Sequence, residues 1–524
     1  MPTIAELVRE HAQRAPDGVA LRWPDPEFDR DAPSWTSHTW SELDVLADRY
    51  AQGLLDQGVK VNDRVALFLR AGIDWLGLAM GCWRLGAVVV APDRRVDVAR
   101  ALGALRQSRP RVLVGSAWVH RLRPFFPEAF SSVELAVATG SPWFFSGVRL
   151  ADLGQPPTTL PETIDPARPG LVEVPDGEAA RELTHHQLAE RLAFEDPSPG
   201  DVALETTWSR VYAHLAAGHT TVWPKLDPQL PASLEVADWI VARAHHEVTF
   251  VVAGQEVVGH PPPSVAPVAR TEVWDGPFPG TWMLAWSRQL GEAFAAVWWL
   301  PGVGPIARIG VREVRSETLD KTHRGFGVCV GRPVDDVTVA IGPVTDGPMA
   351  TLEPRSAGEL GEIVVQPRGG LVLDHEDAEQ EERRTIGGAW HRTGWLGYLD
   401  EDERIWVSGE MAHRIETASG IVTPLVVEGL FDADAEVADC VLVGVGPKGS
   451  AFPVLVVELH AGRTLTPDLL ARWQTRESET PLRGTVRRYL AHPGLPKTQA
   501  GRVDRARLAT WAAARCPDFV REGP

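Results

Sequence analysis

Cysteine is scarce in this chain: four in 524 residues, at Cys82, Cys329, Cys440 and Cys516. They stand too far apart to form a disulfide framework or a metal-ligand cluster, so they read as buried or incidental thiols in a reducing compartment. Long apolar runs are missing as well. The longest candidate, around Ala293–Pro301 with Trp298-Trp299, is bounded by glycine and proline and falls well short of the ~20 residues that cross a bilayer. The opening M-P-T-I-A-E-L-V-R-E-H is amphipathic with early charges, which predicts no signal peptide. Basic residues are in deficit, 52 against 70 acidic, for a formal net charge of -18. That balance disfavours non-specific adhesion to nucleic acid or to an anionic membrane. The expectation is a cytoplasmic protein with no membrane span and no nucleic-acid partner.

What remains is ordinary for a globular enzyme-sized chain: 44% hydrophobic and 23% charged residues, long enough for at least two domains. Ile4, Leu7, Val8 and His11 recur at helical spacing. Thr39 or Ser41 caps a second helix that carries Leu43, Leu46, Ala47, Tyr50, Leu54 and Leu55 and stops at Gly58. An apolar strand over 63–69, a helix over 73–85 and a strand over 86–92 then form a strand–helix–strand unit, the signature of a parallel, doubly wound sheet. Residues 152–170 are rich in proline and threonine and read as a linker or surface loop. The pairs His185-His186 and His245-His246 read as capping or pocket-lining residues, because adjacent histidines point different ways and no carboxylate is fixed beside them by spacing.

Residues 390–428 organise the rest. W-H-R-T-G-W-L-G-Y-L, the polar turn D-E-D-E-R and I-W-V-S-G-E predict a hairpin. Gly409, Ile415, Ala418-Ser419-Gly420 and Pro424 predict a crossing into a new strand–turn unit. This stretch resembles the hinge segment of the AMP-forming acyl-CoA synthetase and adenylation-domain family, the ANL superfamily. Its pattern there is roughly W-x-R-T-G-D-L-G-Y-x-D, then G-R-x-x-D-x-I-K and P-x-x-I-E. Other segments are similar in the same order. They include Thr39-Trp40-Ser41-Glu42-Leu43, Asp63-Arg64-Val65-Ala66, Gly86 to Pro92, Gly327 to Pro333, Gly358-Glu359-Leu360 with Ile363-Val364-Val365, and Leu495-Pro496-Lys497-Thr498 running to Arg505. The resemblance covers nearly the whole chain. It implies an α/β fold of doubly wound sheets at 1–408 and a small α+β domain at 409–524, joined by a hinge.

The resemblance also locates a nucleotide site, and there the residues depart. The family's phosphate loop, T-S-G-T-T-G-x-P-K-G, wraps a triphosphate with backbone N–H groups, hydroxyls and a lysine. Here the loop is Pro175-Asp176-Gly177-Glu178-Ala179-Ala180-Arg181, between a strand at 171–174 and a helix opening at Glu182–Leu188. It has one glycine, no hydroxyl and two carboxylates that repel polyphosphate, with Arg181 nearest the lysine's place. Ile309-Gly310-Val311-Arg312-Glu313 resembles Y-G-x-T-E, whose glutamate binds magnesium. Glu313 keeps that place, although Arg312 beside it is expected to pair with it. The ribose-binding aspartate is Trp395, which accepts no hydrogen bond. The hinge arginine is Glu410, a charge reversal; the next aspartate is His413 and the lysine Glu416. The catalytic lysine is Arg502, a planar fork in place of a compact ammonium.

By family position, then, the candidate catalytic residues are Arg502 and Arg312. The candidate nucleotide and hinge residues are Gly177, Arg181, Gly310, Trp395 and Glu410, and the candidate metal ligand is Glu313. Losses of about tenfold to hundredfold at several such positions multiply. The first expectation is therefore a homologue silent for ATP-dependent adenylation that binds an acyl or carboxylic ligand, or serves a protein partner or a second copy of itself. The second is an active, divergent ligase using ATP, Mg²⁺ and CoA. The third is an enzyme of another class acting on a pre-activated acyl group, with Arg312 or His185 near its pocket. Trp208, Trp282, Trp286, Trp298 and Trp299 would serve either an aromatic pocket or the core, with core packing the default.

Overall fold

The structure is a computed structural model. It describes residues 2–70, 72–92, 98–140, 145, 147–154, 164–174, 181–186, 188, 201–206, 210–225, 236–254, 270–274, 276–300, 303–335, 337–367, 384–387, 389–497 and 503–521. Two compact units emerge: residues 1–258 with 372–378, and residues 259–371 with 379–524.

The first unit starts with two helices whose beginnings are written into the sequence. Thr3 with Glu6, and Thr39 with Glu42, each form a reciprocal capping box ahead of the helices Ile4–Arg14 and Trp40–Asp56. Helix Ile73–Arg84 lies tightly against Trp40–Asp56. A Cβ at Gly81 would come within 2.9 Å of the Ala51 backbone, so glycine is what permits the approach. These helices flank a seven-stranded sheet in the order Val148–Arg149, Leu135–Ala138, Val112–Gly115, Arg64–Phe68, Val88–Pro92, Pro169–Val174, Arg181–Thr184. All neighbours are parallel except the last pair. A second layer joins Phe250–Gly254, Val202–Glu205, Thr220–Val222 and Val19–Pro24 in parallel, with Trp35–Thr39 antiparallel at the edge.

One expectation fails in this unit. Glu182–Leu188 does not open directly into a helix; Arg181–Thr184 is a strand, and helical turns begin only at His185. The reason is tertiary. Backbone pairing of Leu183 with Leu171 and of Arg181 with Glu173 satisfies the peptide groups of this segment before a helix starts.

The second unit is built on an eight-strand run: Arg270–Trp274, Phe294–Leu300, Gly304–Gly310, Val328–Pro333, Ile405–Glu410, Trp390–Leu399, Gly361–Pro367, Val337–Gly342. The first pair is parallel and the rest antiparallel. Trp298, Ile306, Ile363, Val365, Ile405 and Val407 fill its core. Trp286 and Trp298 are fully buried and Trp282 stacks on Phe278 at 4.6 Å, so these rings serve packing. Trp208 lies outside the described residues.

Beyond Glu410 the chain makes the hairpin Ile415–Thr417 and Gly420–Val422, the helix Pro424–Phe431, and a three-stranded sheet of Val437–Val445, Phe452–Leu459 and Arg488–Ala491. A Cβ at Gly409 (φ +152°) would meet Pro424 Cδ at 2.8 Å, which fixes glycine at the crossing. Phe431, Trp473 and Tyr489 form the aromatic centre of this portion. It is tied to the rest of its unit by Asp432, which accepts from the Thr281 N–H at 2.8 Å and the Thr281 hydroxyl at 2.7 Å. All four cysteines are buried thiols, and burial pushes Cys82 and Cys329 up to about 12.

Candidate active site

The hinge hairpin forms as its alternation suggests, with Trp390–Leu399 antiparallel to Ile405–Glu410. Its critical turn is held from below. Arg392 donates through Nε and Nη2 to Glu362 Oε2 at 2.8 and 2.6 Å, and through Nη1 to the Gly347 carbonyl at 2.8 Å. The other Glu362 oxygen accepts from the Gly394 N–H at 3.3 Å. Burial pushes the Glu362 carboxyl above its ordinary range, with Arg392 acting in the opposite direction. Thr393 Oγ1 donates to the Ile363 carbonyl at 2.7 Å and accepts from the Trp395 N–H at 3.1 Å. Gly394 sits at φ +73°, so the turn that presents residue 395 needs glycine. The strand expected to follow from Gly358-Glu359-Leu360 begins only at Gly361. Gly361-Glu362 enters the sheet, while Glu359 stays exposed.

Trp395 turns inward. Its ring packs against the core beneath the sheet and meets Trp298 edge-on at 6.2 Å. Glu410 lies directly opposite it across the strand pair. The carboxylate of Glu410 stands 3.1 Å from His413 Nδ1, over the short turn Met411–His413. Two candidate positions are thus brought face to face, as an indole and a carboxylate.

Gly310, Arg312 and Glu313 lie elsewhere on the sheet. Gly310 ends the strand Gly304–Gly310 and precedes a helical run over 311–322. That strand is three places removed from Ile405–Glu410's partner Trp390–Leu399, with Val328–Pro333 and Ile405–Glu410 between. Arg312 and Glu313 do not pair with each other. Arg312 projects into solvent and meets Glu292 at 3.2 Å. Glu313 Oε1 is 3.2 Å from Arg332, whose Nε also donates to the Asp402 carbonyl at 3.1 Å. Successive residues on a helical turn diverge by about 100°, so partner choice passed to neighbouring elements. Arg332 is the residue that sequence reasoning missed; its place in G-R-P gave no sign that it would reach Glu313.

A further ion cluster anchors the same region. Arg404 donates to Asp400 at 2.7 Å and to Glu317 at 2.8 Å, joining the hairpin turn to the helical run. In the C-terminal portion, Arg505 forks onto Glu428 at 2.6 and 2.9 Å, and Glu428 also accepts from the Leu442 N–H at 2.7 Å. Next to it lies a cavity of about 500 Å³ lined by His413, Arg414, Glu416, Lys448, Arg505 and aliphatic or small residues. Its charges are committed: Arg414 and Lys448 both reach Asp346 and Glu416.

Gly177 and Arg502 lie outside the described residues, as does the loop over 175–180. Arg181 is placed by its backbone, opposite Glu173. Lys497 and Val503 form an antiparallel bridge. His185 is buried at the other end of the 169–184 hairpin, edge-on to Trp83 at 5.9 Å. Burial pushes its imidazole down to about 4, which keeps it neutral.

The match to known proteins runs end to end. The AMP-binding enzyme family matches residues 8–164. An olefin beta-lactone synthetase of Stenotrophomonas maltophilia is 28% identical over 551 residues, covering 98% of each chain. A 4-chlorobenzoate–CoA ligase of Arthrobacter is 24% identical, covering 99% of this chain and 97% of its own. Among solved structures, the amide bond synthetase McbA of Marinactinospora thermotolerans superposes with a TM-score of 0.78 at 17% identity, over 97% of this chain and 99% of that one. The chain is similar over nearly its whole length to AMP-forming ligases of the ANL superfamily. Its α/β fold is theirs.

At the positions that the sequence resemblance assigns to ribose and metal, Trp395 lies half-buried against Trp298 and Glu313 stands 3.2 Å from Arg332, while residues 175–180 and Arg502 lie outside the described residues. Among the described residues no group of three His, Cys, Asp or Glu side chains is arranged to hold a metal ion.

Proposed function

We propose that this chain no longer couples ATP to carboxylate activation and that it acts as an acyl-binding homologue or partner protein on the ligase scaffold. Trp395 carries the reading. Its ring N–H only donates, its body is spent on core packing, and its cross-strand neighbour is a carboxylate that repels an anionic nucleotide. The Arg332–Glu313 contact supports the same conclusion, because an arginine beside the carboxylate disfavours Mg²⁺. The division at 408/409, the use of the first portion to hold an acyl group and a cytoplasmic location belong to the same proposal. Calorimetric titration tests it. A carboxylic acid or its acyl conjugate gives saturable heat, whereas ATP with Mg²⁺ gives none.

A second reading is favoured by one observation, the end-to-end match to chains named as olefin beta-lactone synthetases. On that reading the chain activates a carboxylic acid with ATP and Mg²⁺, with or without CoA, through nucleotide contacts other than the superfamily's. Saturable ATP binding in the same titration would select it.

A further inference from the structure

Eight large hydrophobic side chains are well exposed among the described residues, and all the aromatic ones fall within nine positions: Trp118, Phe125 and Phe126, at 51%, 76% and 41% exposure. They belong to one protrusion of the first unit, the helix Ala117–Leu122 and the turns that follow it. The protrusion is built firmly. Val119, Ala129 and Phe130 anchor it in the core under the seven-stranded sheet, and Leu122 packs against them. The Phe125 and Phe126 N–H groups both donate to the Leu122 carbonyl, at 3.0 and 3.2 Å, and the Ala129 N–H donates to the Phe126 carbonyl at 3.1 Å. His120, on the inner side, is committed to the Val137 carbonyl at 3.0 Å. Core packing therefore uses 119, 129 and 130 and leaves the three large rings outside. Exposed rings gain nothing for the fold, and clustered apolar exposure marks a contact surface.

The charge around the rings points to the occupant. The chain as a whole carries -18, yet residues 116–127 contain Arg121 and Arg123 and no acid. Arg121 is exposed and Arg123 half-exposed, both between Trp118 and Phe125 in the sequence. The nearest acid along the chain, Glu128, stands 4.0 Å from Arg106. Tryptophan and phenylalanine flanked by arginine suit the boundary between headgroups and acyl chains, where rings insert shallowly and guanidinium groups meet phosphate. We propose that the Trp118–Phe126 protrusion docks this protein on an anionic lipid surface, as a peripheral contact without a membrane span. Net charge predicts repulsion from such a surface; the local patch reverses that prediction at one point of the molecule.

Flotation of the full-length protein with unilamellar vesicles tests this, using phosphatidylcholine alone and phosphatidylcholine mixed with phosphatidylglycerol. Each inserted ring contributes on the order of tenfold in partitioning. The wild type should float with the mixed vesicles, less with phosphatidylcholine alone, and less as salt rises. The variant Trp118→Ser/Phe125→Ser/Phe126→Ser should lose at least tenfold in bound fraction while keeping its circular-dichroism melt, because the replaced rings lie outside the core. The variant Arg121→Gln/Arg123→Gln should keep residual binding but lose its preference for phosphatidylglycerol. A wild type that stays in the bulk with both vesicles overturns the proposal, as does a triple-serine variant that floats like the wild type. Sedimentation of the same samples covers the remaining occupant. A self-association abolished by the triple-serine change, with no flotation, assigns the patch to a second copy of the chain and also overturns the proposal.

Discussion

Replacing Arg392 with methionine tests whether the hinge turn rests on a buried ion pair. Arg392 and Glu362 are only 8% and 2% exposed at their side chains. Methionine keeps the length of the side chain and removes the charge, together with donations to Glu362 and to the Thr345 and Gly347 carbonyls. Breaking a buried pair from one side costs about 3–5 kcal/mol, because the remaining charge has no compensation. Chemical denaturation followed by urea midpoint should therefore show a loss of that order. Glu362 can relieve it by taking up a proton. Its folded-state carboxyl is already pushed upward by burial and would rise further without Arg392. A carboxyl raised in the folded state is penalised as pH climbs through its ordinary range and is unpenalised below it, so the deficit of the variant should shrink on acidification. Arg392→Met/Glu362→Leu should recover a substantial part of the loss. A single variant that costs less than about 1 kcal/mol, or a deficit that grows in acid, would refute the reasoning.

Trp395→Asp restores the superfamily's residue but should not restore ATP binding, since Glu410 lies opposite and the ring leaves its cluster. A stability loss of about 2–3 kcal/mol is expected from the half-buried indole, and gain of ATP binding without that loss would count against the packing argument. His185, held near 4, stays neutral in the fold while the unfolded imidazole protonates below its usual 6.5. Its contribution is present above that value and is lost as pH falls towards about 4, up to about 3 kcal/mol, so His185→Gln should flatten the dependence of the urea midpoint on acid pH. His214 contacts Glu205 at 3.0 Å with both side chains fully buried. His214→Ala should cost about 1–3 kcal/mol in the same assay through loss of its buried contact with Glu205, and Glu205→Gln added to it should return part.

The helices and the hinge were legible because their signals are local. Thr39 followed by Glu42 caps a helix from within four residues, and the polar turn at 400–403 joins two strands that need no distant partner to be recognised. Arg181–Thr184 was illegible as a strand because what fixes it is Pro169–Val174, across a loop, and tertiary pairing overrides local propensity. The same cause hid the partners of Glu313 and Arg312. Arg332 reaches Glu313 from an adjacent strand, and Glu292 reaches Arg312 from the turn after helix Gly280–Leu290. Departure from the family pattern at residue 395 was visible in the sequence, but where Trp395 put its ring was not, since packing against Trp298 depends on a strand almost a hundred residues earlier.

The central claim is loss of ATP-dependent activation, and pyrophosphate release tests it most directly. Full-length protein is incubated with ATP and Mg²⁺ over a panel of aliphatic, aromatic and β-hydroxy carboxylic acids, with release followed by a coupled assay. The account predicts no acid-dependent pyrophosphate above the no-enzyme rate for any acid. Acid-dependent release that saturates with ATP would contradict it and would make Trp395, Glu410 and the Arg332–Glu313 pair parts of a working nucleotide site.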